Sequence, residues 1–277
     1  AEYSPAEKDR WLSLAKTGID FVFGKMMADG FRINYLTDRE GNMQEGPISV
    51  FSDAFAILGL AKYISVSGDR SYETLLDDMF RTYSDNIRNP EFKDIAPNAY
   101  SRGILHHALF MISVNVACEV AGAIGLVKAR DLLEYALDTV LSRMKDQEYG
   151  CILEKKKSNG DRMDSQDALF LNVGHVFESM WFAIDAARLL GRKELIPEII
   201  SISENTFRLG TDDGLIVFSR LLDHNDKSRY STWKYEIAFD GNDKVSWSYA
   251  EAMVLFLYLY KITKDEQWEI RFRDHLD

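Results

Sequence analysis

Residues 171–197 read LNVGHVFESMWFAIDAARLLGRKELIP. From Asn172 to Leu190 apolar residues fall on most sides, as in a helix buried on most sides. Gly191 stops it, and a more polar helix begins near Glu194. A long apolar helix, a short turn and an amphipathic helix recur around VSGDRSYETL (66–75), AIGLVKARDLL (123–133) and KITKDEQWEI (261–270), at intervals of about sixty residues. Repeated helical hairpins bury their apolar faces only by stacking on neighbours. The apolar first helices would line an inner ring and the second helices an outer ring. The expected fold is an all-α, α/α toroid, one domain over residues 1–277. Short β-hairpins and the loops joining one pair to the next would gather at the mouth of a cavity.

Outward from that stretch, Ser4-Pro5-Ala6-Glu7 has the form of a helix start, opening a helix to about Met27. Alternation over Phe31–Leu36 and turn residues at Asp38–Asn42 predict a β-hairpin. Helices are predicted over about 48–67, 71–88, 102–120, 128–144, 194–208, 246–261 and 266–274, a second hairpin over 149–161 and a third strand pair over 210–220. Residues 221–243 read as polar and irregular.

With 46% hydrophobic and 28% charged residues, the chain has the balance of an ordinary globular protein. A net charge of −11 argues against phosphate-backbone binding, so no nucleic-acid partner is expected. Cys118 and Cys151 form no CxxC and no disulfide framework; both read as core residues, and a reducing cytoplasm is the expected location. No unbroken apolar run of about 18 residues occurs, so no membrane span is expected. The first residues lack the basic and apolar regions of a signal peptide.

If each apolar helix begins at the mouth, its first turn faces the cavity. Those turns carry Ser52 and Asp53; Arg102, His106 and His107; His175 and Glu178; and Trp247, Tyr249 and Glu251. His175 and Glu178 share a helix face at a spacing of three. An imidazole titrating near neutral pH beside a carboxylate can do proton chemistry. A cap at Asn172 followed by a polar pair accounts for the same residues. Gly174 lets the backbone approach a neighbour closely. Aromatic and charged groups around one cavity suit a polyhydroxylated ligand, although cap chemistry and polar pairs at the barrel mouth would look alike. A metal needs three or more converging ligands; His175 and Glu178 supply two, so none is expected. No nucleotide or dinucleotide motif occurs, so no cofactor is expected.

Asn172–Phe182, NVGHVFESMWF, resembles the NPGHxxEaaWF segment of the N-acylglucosamine 2-epimerase family, the renin-binding-protein-like sugar epimerases and isomerases. Residues 244–252, KVSWSYAEA, are similar to its KxWWpHaEA segment, and FSDAFAILG (51–59) with Ser67-Gly68-Asp69 to its FSexFaixg…tGD run. Gly150–Glu154 resembles its G-x-vlE strand, and Asp212–Phe218 its D-x-xGGixyf turn. The likeness runs in order along nearly the whole chain. It implies an (α/α)6 barrel of six helix pairs and cofactor-independent epimerisation or isomerisation at C2 of a ring-opened sugar. Only four pairs and one further helix are predicted here, which implies an incomplete barrel, the middle of a longer polypeptide. Apolar flanks would then be exposed on the first helix (Trp11, Leu14, Ile19) and on the 246–261 helix. Val173 stands where the family has Pro, and Ser246 and Tyr249 replace its Trp and His. Met111-Ile112 departs from the Met-His of isomerases and cellobiose epimerases and lies closer to the N-acylglucosamine 2-epimerase branch. The early-helix arginine and last-helix histidine of that branch fall outside this chain.

The resemblance implies His175 as an acid/base, Glu178 as the group that orients it, and Glu251 as a ligand of sugar hydroxyls or an aid to ring opening. Arg102 would steady the enolate oxygen, and Ser52, Trp181, Trp247 and Tyr249 would contact the sugar. A second base would lie outside the chain. The expected substrate is a hexose or an N-acylhexosamine. The alternative is a non-catalytic sugar- or protein-binding α/α toroid, for which Ser246 and Tyr249 speak. A glycoside hydrolase on the same barrel would need two carboxylates about 5–10 Å apart across the cavity. A homodimer is expected only because twofold homodimers are common.

Overall fold

The structure, a computed structural model, describes residues 5–89, 91–92, 103–165, 168–222 and 242–276. Ser4, Arg102 and most of the polar stretch 221–243 lie outside the described residues. In chain order the elements are α1 (Lys8–Phe21), β1 (Met27–Ala28), β2 (Arg32–Ile33), β3 (Leu36–Thr37), β4 (Met43–Glu45), α2 (Val50–Ser67), α3 (Glu73–Arg88), β5 (Ile104–His106), α4 (His107–Ile124), α5 (Leu126–Asp138), β6 (Lys155–Lys157), β7 (Phe170–Asn172), α6 (Val173–Leu190), α7 (Ile196–Leu209), β8 (Thr211–Asp212), β9 (Leu215–Ile216), β10 (Ser219–Leu221), α8 (Ser246–Thr263) and α9 (Glu266–Asp274). Four helix pairs, α2–α3, α4–α5, α6–α7 and α8–α9, meet at the four turns of the repeat, and α1 stands before them.

Short polar side chains start these helices by taking up amide protons that have no partner within the helix. Ser49 accepts from Phe51 N–H at 3.2 Å, Asn172 from His175 N–H at 3.1 Å and Asp265 from Gln267 N–H at 3.0 Å. Gly68 and Gly191 end α2 and α6 with φ of 75° and 72°, the left-handed turn that glycine adopts without a Cβ penalty. Burial separates the two members of a pair: eleven of the eighteen residues of α6 are buried, against four of the fourteen of α7.

The chain divides into two compact units, Ala1–Arg102 with Asn115–Leu133 and Gly103–Val114 with Glu134–Asp277. In the first, α2 packs on α1 and α3. Buried Asp53 holds β2 to α2 by accepting from Ile33 N–H at 2.7 Å and from Arg32 Nε. Between α1 and α2 lies a groove of about 480 Å³, lined by Trp11, Leu12, Ile19, Phe55 and Val66 among others. In the second unit α6 packs on α7 and α8, and α8 on α9. Phe256 is the centre of this core, with ring centroids 5.8 Å from Phe177, 5.7 Å from Phe207 and 5.8 Å from Trp268.

Several expectations need correction. The helix predicted from Arg102 begins only at His107, because residues 104–106 pair antiparallel with Lys155–Lys157. The Asn159-Gly160 turn forms, yet β6 pairs with that strand some fifty residues upstream rather than with a local partner. Residues 27–45 make two short pairs, β1·β2 and β3·β4, with Asp38 bonding Asn42 across the second turn. By length and hydropathy α2 and α4 each reach the level of a bilayer span, which a search for unbroken apolar runs misses. The protein buries 67% of the α4 window, as it would a core helix.

Candidate active site

The site is built on the first turn of α6. β7 pairs with β10, Asn172 opposite Ser219, and so fixes the backbone that enters the helix. Asn172 then caps the helix and sets the direction of His175. Gly174 is needed here because a Cβ at this position would lie 2.5 Å from two ring carbons of Trp247 and 2.6 Å from Ser248 Oγ. Only a bare Cα lets α8 bring Trp247 this close. The Trp247 ring lies 5.5 Å from the His175 ring, centroid to centroid, and meets Phe218 edge-on at 6.2 Å.

The carboxylate that orients His175 is Glu154, not Glu178. His175 Nδ1 lies 3.0 Å from Glu154 Oε2 and 3.2 Å from Oε1. The backbone holds Glu154 from both sides: its N–H donates to Phe170 O at 3.0 Å, and its carbonyl accepts from His107 N–H at 2.9 Å. The fully buried His107 places Nδ1 3.7 Å from Glu154 Oε2. Burial works to raise the Glu154 carboxyl, but the His175 charge and the approach of both imidazoles outweigh it and hold Glu154 well below the usual carboxylate range. Glu154 is therefore ionised at neutral pH and accepts only. The partner assigns the proton of His175 to Nδ1, which leaves Nε2 as its basic nitrogen. For His107 burial dominates and pushes the imidazole down, against the pull of Glu154.

One and two turns along α6, at spacings of three, stand Glu178 and Trp181. Trp181 Nε1 donates to Glu251 Oε2 at 2.8 Å and ties α6 to α8. Burial, and then the nearby Glu251, push Glu178 up to about 7; His175 opposes them as a neighbouring charge. Glu178 thus carries a proton in part of the molecules at neutral pH.

His175, Glu178, Trp181, Trp247 and Glu251 come together as the sequence predicts. Tyr249 does not. Two residues beyond Trp247 the helix has rotated by about 200°, and the Tyr249 ring faces His275, centroids 5.6 Å apart. Ser52 sits half-buried on the first turn of α2, in the other unit, and Arg102 lies outside the described residues. His106 belongs to β5, opposite Lys155, where burial first and then the Lys155 charge lower it to about 4. Cys151 is a core thiol that burial pushes up to about 12, far from a thiolate nucleophile. Sequence reasoning left out Glu154 and gave His107 no partner. The likeness of Gly150–Glu154 to the G-x-vlE strand ends on this residue but gives it no role. Among the described residues the converging metal-type ligands are not His175 with Glu178 but His107, Glu154 and His175, whose ligand atoms lie within 4.8 Å of one another.

A family model described as N-acylglucosamine 2-epimerase (GlcNAc 2-epimerase) matches residues 2–276. No curated protein matches the chain. Among solved structures, a sugar epimerase from a ruminal bacterium superposes with a TM-score of 0.77 at 19% identity, covering 95% of this chain and 68% of its own. Cellobiose 2-epimerase from Bacillus thermoamylovorans B4167 gives 0.77 at 15%, covering 96% and 69%. A D-mannose isomerase gives 0.63 at 11%, covering 98% and 86%. At such identities the likeness carries the fold, an all-α architecture of the (α/α)6 toroid type.

Proposed function

The chain belongs to the N-acylglucosamine 2-epimerase family and is a sugar epimerase or isomerase; from that premise we propose that it moves the C2 proton of a ring-opened hexose or N-acylhexosamine, with His175 as the base. The hydrogen bond from His175 to Glu154 carries this reading. In the open-chain sugar C1 is an aldehyde, so the C2 proton is acidic. His175 Nε2 takes that proton, the C2–H electron pair becomes the C1–C2 double bond of an enolate, and the negative charge moves to O1. The imidazolium that forms keeps its second N–H on ionised Glu154. Delivery of a proton to C2 from the opposite face, by a second acid other than His175, gives the epimer; the imidazolium of His175 then gives up its proton to solvent. In a hexose, passage of the O2 proton to O1, with delivery of the abstracted proton from His175 to C1 on the same face, gives the ketose.

Glu251, steered by Trp181, accepts from sugar hydroxyls, and Trp247 covers a C–H face of the chain. Glu178, close to half-protonated at neutral pH, exchanges a proton with a substrate oxygen. The test incubates the protein with aldoses and N-acylhexosamines in D2O and reads deuterium at C2 by NMR. Exchange that disappears in His175→Asn supports the reading. No exchange with any candidate sugar would overturn it, and sugar binding unchanged in His175→Asn would then favour a binding toroid.

A further inference from the structure

We propose that His107, Glu154 and His175 form a binding site for a divalent transition cation of the zinc class, and that filling it silences the base. Two imidazoles and one carboxylate are a ligand set that takes zinc and leaves a coordination position open. Magnesium and calcium select all-oxygen sites instead. Ligand bonds of about 2.1 Å arranged tetrahedrally hold ligand atoms about 3.4 Å apart. The distances from Glu154 Oε2 to His175 Nδ1 and His107 Nδ1, 3.0 Å and 3.7 Å, bracket that edge. Small rotations of side chains would admit the ion.

A second observation points to a ligand. His107 is fully buried, and neither of its ring nitrogens has a hydrogen-bond partner among the described residues. A buried polar group left this way costs stability, and a native fold normally satisfies it. His107 opens α4 directly after β5, and its backbone N–H is bonded to the Glu154 carbonyl, so its ring is presented to the Glu154 carboxylate. A bound cation would satisfy one of the unpartnered nitrogens and hold the imidazole–carboxylate–imidazole set together.

The consequence for the base follows from imidazole chemistry. A neutral imidazole has one nitrogen lone pair to give. Spending the Nδ1 lone pair of His175 on the cation displaces the Nδ1 proton and leaves Nε2 as N–H, which cannot take up a proton. The cation also draws Glu154 away from its hydrogen bond. Inhibition therefore rests on the proton-transfer reading given above; binding does not.

The experiment titrates chelator-treated protein with Co2+ and with Zn2+. It records the Co2+ d–d absorption, a chromophoric-chelator competition for Zn2+, and X-ray absorption at the zinc edge. One cation per chain is expected, with a first shell of two imidazoles and one carboxylate. His107→Gln should weaken binding by roughly tenfold or more, with thermal melting reporting whether the variant folds. The zinc-edge measurement on the unaltered protein decides the matter if it does not. C2 exchange should fall on zinc addition and return with chelator. No stoichiometric binding, a shell without two imidazoles, or equal affinity in folded His107→Gln would overturn the site. Bound zinc that leaves C2 exchange unchanged would overturn the silencing. Zinc bound as described in a protein that never exchanges C2 protons would instead sink the epimerase reading and leave the site standing.

Discussion

Replacing Gly174 by alanine places a methyl carbon 2.5 Å from two ring carbons of Trp247 and 2.6 Å from Ser248 Oγ. Ordinary contact begins near 3.4 Å, so α6 and α8 must part, or the indole must swing, by about 0.9 Å. Half-buried Trp247 contacts the His175 and Phe218 rings, so a swing of the indole would give up both contacts. Overpacking of this kind costs about 1–3 kcal/mol. Alanine offsets this by up to about 1 kcal/mol through helix propensity, and by less in the first turn of a helix. The net expectation is a loss of roughly 1–2 kcal/mol, which lowers the melting temperature by about 2–8 °C for a chain of this size. Gly122→Ala in α4 is the control: nothing lies within 4 Å of its added Cβ, so it should be neutral or stabilising. Thermal and urea melts of both variants measure the difference. C2 exchange should fall in Gly174→Ala, because the Trp247 ring no longer keeps its place beside His175. A Gly174→Ala protein that melts at or above the parent temperature would refute the claim that the glycine exists to admit the indole.

Glu154→Gln keeps the shape and removes the charge that supports the imidazolium; the C2 exchange rate should drop by about 10²–10⁴-fold, whereas a drop under threefold would mean that Glu154 only packs. Glu178 is raised from the ordinary 4.5 to about 7, so the fold holds its proton more tightly than the unfolded chain does. Its contribution to stability therefore falls as pH rises from about 4.5 through about 7. Melts of Glu178→Gln and the parent should diverge over that window, with the variant relatively more stable at pH 8; parallel curves would show that Glu178 does not titrate there. Trp11 and Phe55, 43% and 62% exposed, border the α1–α2 groove. Residues 1–277 should bind a dye that reports apolar surface, and Trp11→Ser with Phe55→Ser should reduce the signal by at least half, while an unchanged signal would place the dye elsewhere.

The helix pairs could be read from the sequence because the information is local. Gly68 and Gly191 follow long apolar runs, and a capping residue stands before α2, α6 and α9. The cluster of His175, Glu178, Trp181, Trp247 and Glu251 could be read for the same reason, since each sits at a fixed helical spacing from a recognisable start. Tyr249 was misplaced although the period was in view: two residues cannot share a face with their starting point on a helix. Glu154 and His107 were hidden by distance along the chain. Glu154 becomes useful only once β6 pairs with β5, and no pattern within a few residues of it announces a partner some fifty positions away. Nor does the apolar run after Arg102 show that its first residues are extended. Gly103, with φ of 78°, is the one local hint.

The placement of His175 raises a question of sign that Glu154 answers. A base on the third residue of α6 stands where the helix dipole is positive, and taking a proton there creates a second positive charge. The end of a helix disfavours a cation by about 0.3–1 kcal/mol. A hydrogen bond to an ionised carboxylate contributes about 1.5–3 kcal/mol in the other direction. The carboxylate wins, provided that it stays ionised and cannot move away. Two strand pairs meet both conditions. β7·β10 fixes the entry to α6, and β5·β6 delivers Glu154 with its amide and carbonyl bonded to Phe170 and His107. Each pair is three residues long, too short to be stable alone, so both depend on the helices that follow them. The repeat that builds the fold therefore also holds its polar first turns in place. Loosening either strand pair, with every catalytic side chain intact, would free Glu154 from Nδ1 and leave His175 a poorer base.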